Sequence, residues 1–356
     1  MQRMLNSATR QFLLTLSLLI LGNCVSPVDI ALERVGGQAV ISGMISTIAE
    51  QNIIQVGLTA DTYRLPIPLS GASVKLVDDL GGEYYYQEDI YYPGNYLLPD
   101  VAGVPGRTYY IEVLADGKEY RSNTEKMPAS SGYVSTHYSF TEEDYVDYEG
   151  IISTEYFIKV YADIELPSNL DQSYLHWVTN EDFLLSPTDF PDPFGHIPPP
   201  CFISQNADPQ RVTILRGSDL NTNTLTNQLI ASRIIDWTFF ERHYFTTYQS
   251  SITKEAYDYW RKINILANQV GSIFDLPPAR VKGNIYSIDN PDQYALGFFS
   301  AANQEMHRFF VLPFDIPYNI PATKCTFDNR PFDQYPQRCL DCPSVKNASY
   351  RRPEWF

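Results

Sequence analysis

Five cysteines and five histidines carry most of the nucleophilic and metal-ligating capacity of this 356-residue sequence. Four cysteines, Cys201, Cys325, Cys339 and Cys342, lie in the body of the chain, the last two as Cys339-Leu-Asp-Cys342. Such a pair could act as a redox dithiol or supply half of a thiolate zinc site. The first lacks a thioredoxin-like βαβ context, and the second would have to recruit Cys325 and Cys201 at irregular spacing. Two disulfides are the simpler chemistry if the chain is exported, with three connectivities open. The histidines, at 137, 176, 196, 243 and 307, form no H-E-x-x-H pair. There is also no G-x-S-x-G elbow, phosphate-cradling loop or calcium loop. These patterns predict no catalytic residue, no metal and no cofactor, hence a protein that is not an enzyme.

Two acidic stretches qualify that expectation. Glu142-Glu143-Asp144 with Asp147 and Glu149, and Glu88-Asp89 beside Tyr91 and Tyr92, place carboxylates next to aromatics, as a glycosidase or sugar-binding cleft would need. A surface glycan or peptide hydrolase is therefore one alternative function, and a structural or adhesive protein is another. Tyrosines also crowd residues 84–96, and exposed tyrosines are enriched where proteins meet. Tyr84, Tyr86, Tyr91 and Tyr92 are the candidates for a partner-binding edge.

Location is written more plainly than activity. Arg3 and Arg10 precede the apolar run Phe12 to Leu21, the order of an export signal, and the run is too short for a spanning helix of about 20 residues. Leu21-Gly-Asn-Cys24 then resembles the bacterial lipoprotein box. It predicts cleavage after residue 23 and acyl chains on Cys24, an anchor that needs no protein span. A net charge of −16 repels phosphate backbones, so nucleic acid is excluded as a partner.

The elements that must position these residues read as mainly β. Residues 24–36 form a tether, and residues 37–128 alternate as about seven short strands separated by Asp78-Asp-Leu-Gly-Gly82, Pro93-Gly-Asn95 and Asp116-Gly117. That spacing predicts a small, immunoglobulin-like β-sandwich. A small, turn-forming stretch at 127–132 separates it from a larger antiparallel β domain over 133–320. There Tyr156, Ile158, Val160, Ala162 and Ile164 share one parity. Within it, residues 253–270 switch to helical spacing, with Thr253 as N-cap and an apolar stripe through Ala256, Tyr259, Trp260 and Ile263. The stripe reads as a packing face, with a ligand cradle as the sharper alternative. Residues 321–356 form a cysteine-containing tail.

Two resemblances follow. Pro68-Leu-Ser-Gly-Ala-Ser-Val-Lys-Leu76, Gly94-Asn-Tyr96 and Gly106-Arg-Thr-Tyr-Tyr-Ile-Glu-Val113 resemble the prealbumin-like repeat of carboxypeptidase regulatory domains. The wider chain resembles the DUF4249 lipoproteins of Bacteroidota. The residues that carry this are Ser251-Ile-Thr-Lys-Glu-Ala-Tyr-Asp-Tyr-Trp260, Gly271-Ser-Ile-Phe-Asp-Leu-Pro-Pro278, Val281-Lys-Gly-Asn-Ile285, Gly297-Phe-Phe-Ser-Ala301 and the tail from Cys339 to Phe356. Val345-Lys-Asn-Ala-Ser349 and the terminal Trp355-Phe356 depart from that family's usual ending. The resemblance implies a lipoprotein held to the outer membrane, on its periplasmic or surface face. It further implies an accessory or substrate-capture subunit for a TonB-dependent outer-membrane barrel, with no catalytic residues to carry over.

Overall fold

The computed structural model describes residues 37–60, 66–130, 132–133, 135–146, 150–185, 199–268, 281–290, 292–321, 342 and 345–356. The expected signal, Cys24 and the tether lie outside this set, as do Cys325, Cys339 and His196. The described chain is mainly β, in large antiparallel and mixed sheets with one α-helix.

The first half is a small sandwich. β1 (Ala39–Ser46), β2 (Ile53–Leu58), β3 (Ile67–Pro68), β4 (Ser73–Asp78), β5 (Glu83–Tyr85), β6 (Gln87–Glu88), β7 (Asn95–Leu97), β8 (Thr108–Ala115), β9 (Lys118–Ser122) and β10 (Glu125–Lys126) follow in chain order. β2 pairs with β1, β3 and β7, and β8 pairs with β4, β9 and β10. The period of two decides which side chains meet inside: Tyr109, Ile111, Val113 and Ala115 of β8 are buried with Ile41, Ile45, Ile54, Val56, Val74 and Leu76. Each fully buried Ile or Leu contributes about 1.5–3 kcal/mol relative to exposure.

The second half is another two-layer packing. β11 (Ser135–Val146), β12 (Ile152–Glu165) and, later, β16 (Thr224–Ile234) form a three-stranded antiparallel sheet. β13 (Tyr174–Leu185), β14 (Cys201–Asn206), β15 (Thr213–Arg216) and β17 (His243–Ser251) belong to the facing sheet. Ile158, Val160, Ala162 and Ile164 of β12 meet Leu175 and Trp177 of β13 and Phe245 of β17 in one core, the parity expected from the sequence. In β11 Tyr138 and Phe140 pack against that core, but Ser, Thr and acidic residues obscure the alternation. The register of β11 with β12 along the whole of Ser135–Val146 makes it a strand.

α1 (Lys254–Asn268) follows β17, and Thr253 caps it by accepting a 3.1 Å hydrogen bond from the Ala256 N–H. The chain then departs from a simple two-domain order. β18 (Lys282–Ser287) pairs with β9, β19 (Tyr294–Leu296) pairs with β1, and β20 (Phe299–Val311) runs parallel to β1 through Ala302 before pairing with β17 from Asn303 onward. Residues 282–302, grouped by the sequence with the second domain, thus complete the first sandwich, and β20 is shared by both halves. Gly297 makes the crossing feasible: at φ +96° a Cβ there would sit 2.1 Å from the Ile41 carbonyl oxygen.

Finally, β21 (Ala348–Ser349) adds to the edge of β14, and a disulfide joins Cys201 to Cys342. The fold brings these two thiols together across 141 residues, a choice that spacing leaves open.

Candidate functional site

β13 and β17 present different chemistry on their two faces. Even-numbered His176 and Val178 of β13, with Ser250 of β17 and Ile252 beyond it, form the floor of a cavity of about 570 Å³. Tyr259, Trp260 and Ile263 of α1 make one wall, while Val40, Ser42 and Met44 of β1 with Ile53 of β2 make another. Phe298 and Ser300 lie where β20 enters, and Gln51 and Gln55 stand on the sandwich side. Among the described residues no Asp, Glu, Lys or Arg lines this space.

The walls are fixed by polar contacts at the floor and behind the lining. Ser46 Oγ donates to Gln304 Oε1 at 2.5 Å, and Gln304 Nε2 donates to Ser250 Oγ at 2.9 Å, tying β1 to β20 and β17. Glu125 accepts from Thr253 Oγ1 at 2.6 Å and from Asn284 Nδ2 at 3.2 Å. Asn284 also exchanges two hydrogen bonds with the Phe299 backbone, so one carboxyl group joins β10, the helix cap and β18. Burial pushes the Glu125 carboxyl up to about 7, although those hydrogen bonds oppose the shift.

His176 is the unusual member of the lining. Its side chain is 6% exposed and its ring stacks on Trp260 at 4.6 Å, yet no hydrogen bond reaches it among the described residues. Burial pulls its pKa down to about 4, so the imidazole is neutral at cellular pH and offers one donor and one acceptor nitrogen. Tyr259 stacks on Phe298 at 5.0 Å, which gives the cavity a second flat aromatic surface.

The opposite face carries a charged cluster. Glu181 accepts from Arg233 Nε at 2.8 Å, His243 Nε2 at 3.0 Å and Gln205 Nε2 at 2.7 Å. Burial pushes its carboxyl up, but the His243 hydrogen bond and the Arg233 charge outweigh this and hold it below the ordinary value. Arg233 continues to Asp236 at 3.1 Å. Every strong group here has a partner, which marks a structural network.

Four carboxylates of the acidic stretches also find structural partners, while Asp147 and Glu149 lie outside the described residues. Glu143 pairs with Lys159 and Asp144 accepts from Thr154 across the β11–β12 ladder. Glu88 accepts from the Gly71 and Gly94 N–H groups, and Asp89 from that of Tyr91. The proposed tyrosine edge separates into two sets. Tyr86 is buried in the sandwich core and Tyr84 is partly covered, donating to Asp78 Oδ2 at 3.1 Å; Tyr91 and Tyr92 are exposed. The strand period corrects the reading: Tyr84 and Tyr86 share the inward parity, so the outward ring of β5 is Tyr85, which is 62% exposed. Among the described residues no group of three or more His, Cys, Asp or Glu could hold a metal ion.

A family model described as "Domain of unknown function (DUF4249)" matches residues 25–308. The chain belongs to the DUF4249 family. The matched range contains every residue of the junction cavity and ends before the disulfide-bonded tail, so the cavity lies wholly within the DUF4249 region. Comparison with curated proteins gives no match. Among solved structures, a "Biofilm associated protein - BSP domain" is 9% identical, with 76% of this DUF4249 chain and 59% of that chain covered and a TM-score of 0.13. This chain therefore spans less than two thirds of that structure, and a similarity at that score carries no argument.

Of the cavity residues, Tyr259, Trp260 and Ile263 were legible as one stripe of an amphipathic helix. His176 was not, because a lone histidine in an alternating strand carries no motif.

Proposed function

We propose that this DUF4249 protein is a non-catalytic, lipid-anchored capture protein of the outer membrane, which binds a small molecule in its junction cavity and delivers it to a TonB-dependent barrel. The cavity carries the reading. Its volume of about 570 Å³ falls in the range of small-molecule sites, and its apolar walls with a few polar groups match how such sites are built. Capture needs no reacting side chain, in keeping with the carboxylates that hold turns and ladders.

The surface near the tether supports the barrel partnership. Gly37, where the described chain begins, donates to the Thr59 carbonyl at 2.9 Å, next to the pairing of Leu58 with Ile67. Pro66 and Pro93 line one shallow cavity here, and Ile67, Ile90, Tyr91 and Tyr92 are 59%, 84%, 79% and 45% exposed. An apolar, tyrosine-bearing tip therefore stands at the end from which the tether leaves. The 13 residues from Cys24 to residue 36 reach at most about 45 Å, which keeps that tip near the membrane, where a barrel rim is met.

The test is purification of the tagged, lipidated protein from native outer membranes in mild detergent, with mass spectrometry of what stays bound. Near-equal recovery of a TonB-dependent barrel is expected, together with loss of that barrel when Tyr91 and Tyr92 are both replaced by Ser. Recovery of the protein alone would sink the stable complex.

A further inference from the structure

We infer that the ligand of the junction cavity is an uncharged, mainly apolar molecule with a flat ring system and a hydrogen-bonding group that meets the imidazole of His176. This rests on the capture reading of the same cavity and names the class of molecule captured.

Three observations carry it. First, among the described residues no charged side chain lines the space, in a chain that holds 26 basic and 42 acidic residues. An ion entering would shed its hydration and meet no counter-charge, a cost that an uncharged molecule avoids. Second, His176 is 6% exposed and lacks a hydrogen-bond partner among the described residues, while Ser250 beside it in the floor accepts from Gln304 and the Gln51 amide on the sandwich side donates to Tyr248. A buried polar group without a partner is costly, so a ligand atom that completes it gains more than one placed against a satisfied group. Burial keeps that ring neutral at cellular pH, so it can bond either a donor or an acceptor without salt dependence. Third, the stacked pairs His176–Trp260 and Tyr259–Phe298, at 4.6 and 5.0 Å, give two aromatic surfaces against which a planar molecule is favoured.

The experiment uses the whole mature protein and two fluorescent probes with the same rings. N-phenyl-1-naphthylamine is uncharged and has one N–H donor; its sulfonated analogue, 8-anilino-1-naphthalenesulfonate, is an anion. The uncharged probe is expected to bind one-to-one, at least about tenfold more tightly than the sulfonate, with affinity unchanged by salt and between about pH 6 and pH 8. Trp260→Ala should weaken it by about tenfold or more. Gln55→Trp, at an exposed position on the sandwich side, should do the same by narrowing the space without touching the core, with the thermal unfolding midpoint as a check on the fold.

The outcomes separate the two claims. Equal binding of both probes, blocked in each case by Gln55→Trp, overturns the uncharged class and leaves capture in this cavity standing. Binding of the uncharged probe that ignores both substitutions, or no binding of either probe, overturns the class and the capture reading together.

Discussion

One strand, β13, carries two regions that differ in how their buried polar groups are served. On its odd-numbered face Glu181 is 1% exposed and accepts hydrogen bonds from Arg233, His243 and Gln205. On its even-numbered face His176 is 6% exposed and has an aromatic neighbour but no hydrogen bond among the described residues. Burial is nearly equal and satisfaction is opposite. A completed network fixes one arrangement of the sheets, whereas a polar group with no partner beside a cavity contributes no such constraint. On the proposed capture reading the two faces divide stability from binding, and substitutions should separate them.

The largest effect is expected from Glu181→Ala. It leaves the largely covered Arg233 with Asp236 as its one remaining carboxylate among the described residues and removes the acceptor of His243 Nε2, and breaking such a pair costs about 3–5 kcal/mol. Urea unfolding should show that loss, while affinity for the uncharged probe in the cavity stays the same. A parallel fall in affinity in protein that is still folded would erase the division.

Next is the cover over the far part of the even face. Trp355 lies on Arg308 at 3.9 Å, and Phe356 packs on Tyr244 and Phe202 at 5.0 and 4.8 Å, held by β21 and the Cys201–Cys342 bridge. Cys342→Ser should cost about 2–4 kcal/mol by freeing this segment, and hydrogen exchange should quicken at Phe202 and Ile203, where β21 pairs. Probe binding should survive, because the cavity lies at the other end of that face.

Which parts of this arrangement were legible in the sequence follows from the range of the interactions involved. The parity of Ile158, Val160, Ala162 and Ile164, the cap at Thr253 and the helical stripe through Trp260 are local periodicities, and they stand as read. The parallel pairing of β1 with β20 joins residues about 256 positions apart and leaves no local trace. For the same reason the pairing of Cys201 with Cys342 stayed one choice among several. β11 escaped because Ser, Thr and acidic residues obscure its alternation, although backbone pairing with β12 holds it. The cavity inherits this pattern: its helical wall was visible, while its floor and sandwich wall exist only once β20 has returned to β1.

A smaller, pH-dependent effect distinguishes the lock beside the cavity from the floor within it. Glu125 is raised to about 7 by burial, so between its unfolded value and 7 the folded state holds a proton that the unfolded state has released. Its contribution to stability is full below the unfolded value and is lost as pH rises toward 7. His176 is lowered to about 4, so over much of the same window the unfolded state binds the extra proton, and its contribution is lost as pH falls. Each slope is bounded at about 1.4 kcal/mol per pH unit, and because their signs oppose, the native protein should vary little between about pH 5 and pH 6. Glu125→Gln should remove one slope and leave stability rising with pH in urea unfolding; a variant as flat as the native protein would refute the opposition.

The smallest effect on stability, and the most telling for the comparison, is expected from His176→Leu. Removing an imidazole with no hydrogen-bond partner ends a desolvation cost and forfeits the stack on Trp260, two terms of about 1 kcal/mol that oppose each other at neutral pH. The unfolding midpoint should therefore hardly move at pH 7, where Glu181→Ala lowers it sharply. At lower pH the sign appears: without the depressed imidazole, the remaining Glu125 slope makes stability fall as pH rises from about 5 to 6. Binding of the uncharged probe should weaken severalfold, because its N–H loses the only unpaired imidazole acceptor that the described residues place in the lining. A large loss of stability with unchanged binding would assign His176 to the same structural work as Glu181, and β13 would then carry two structural faces and no binding one.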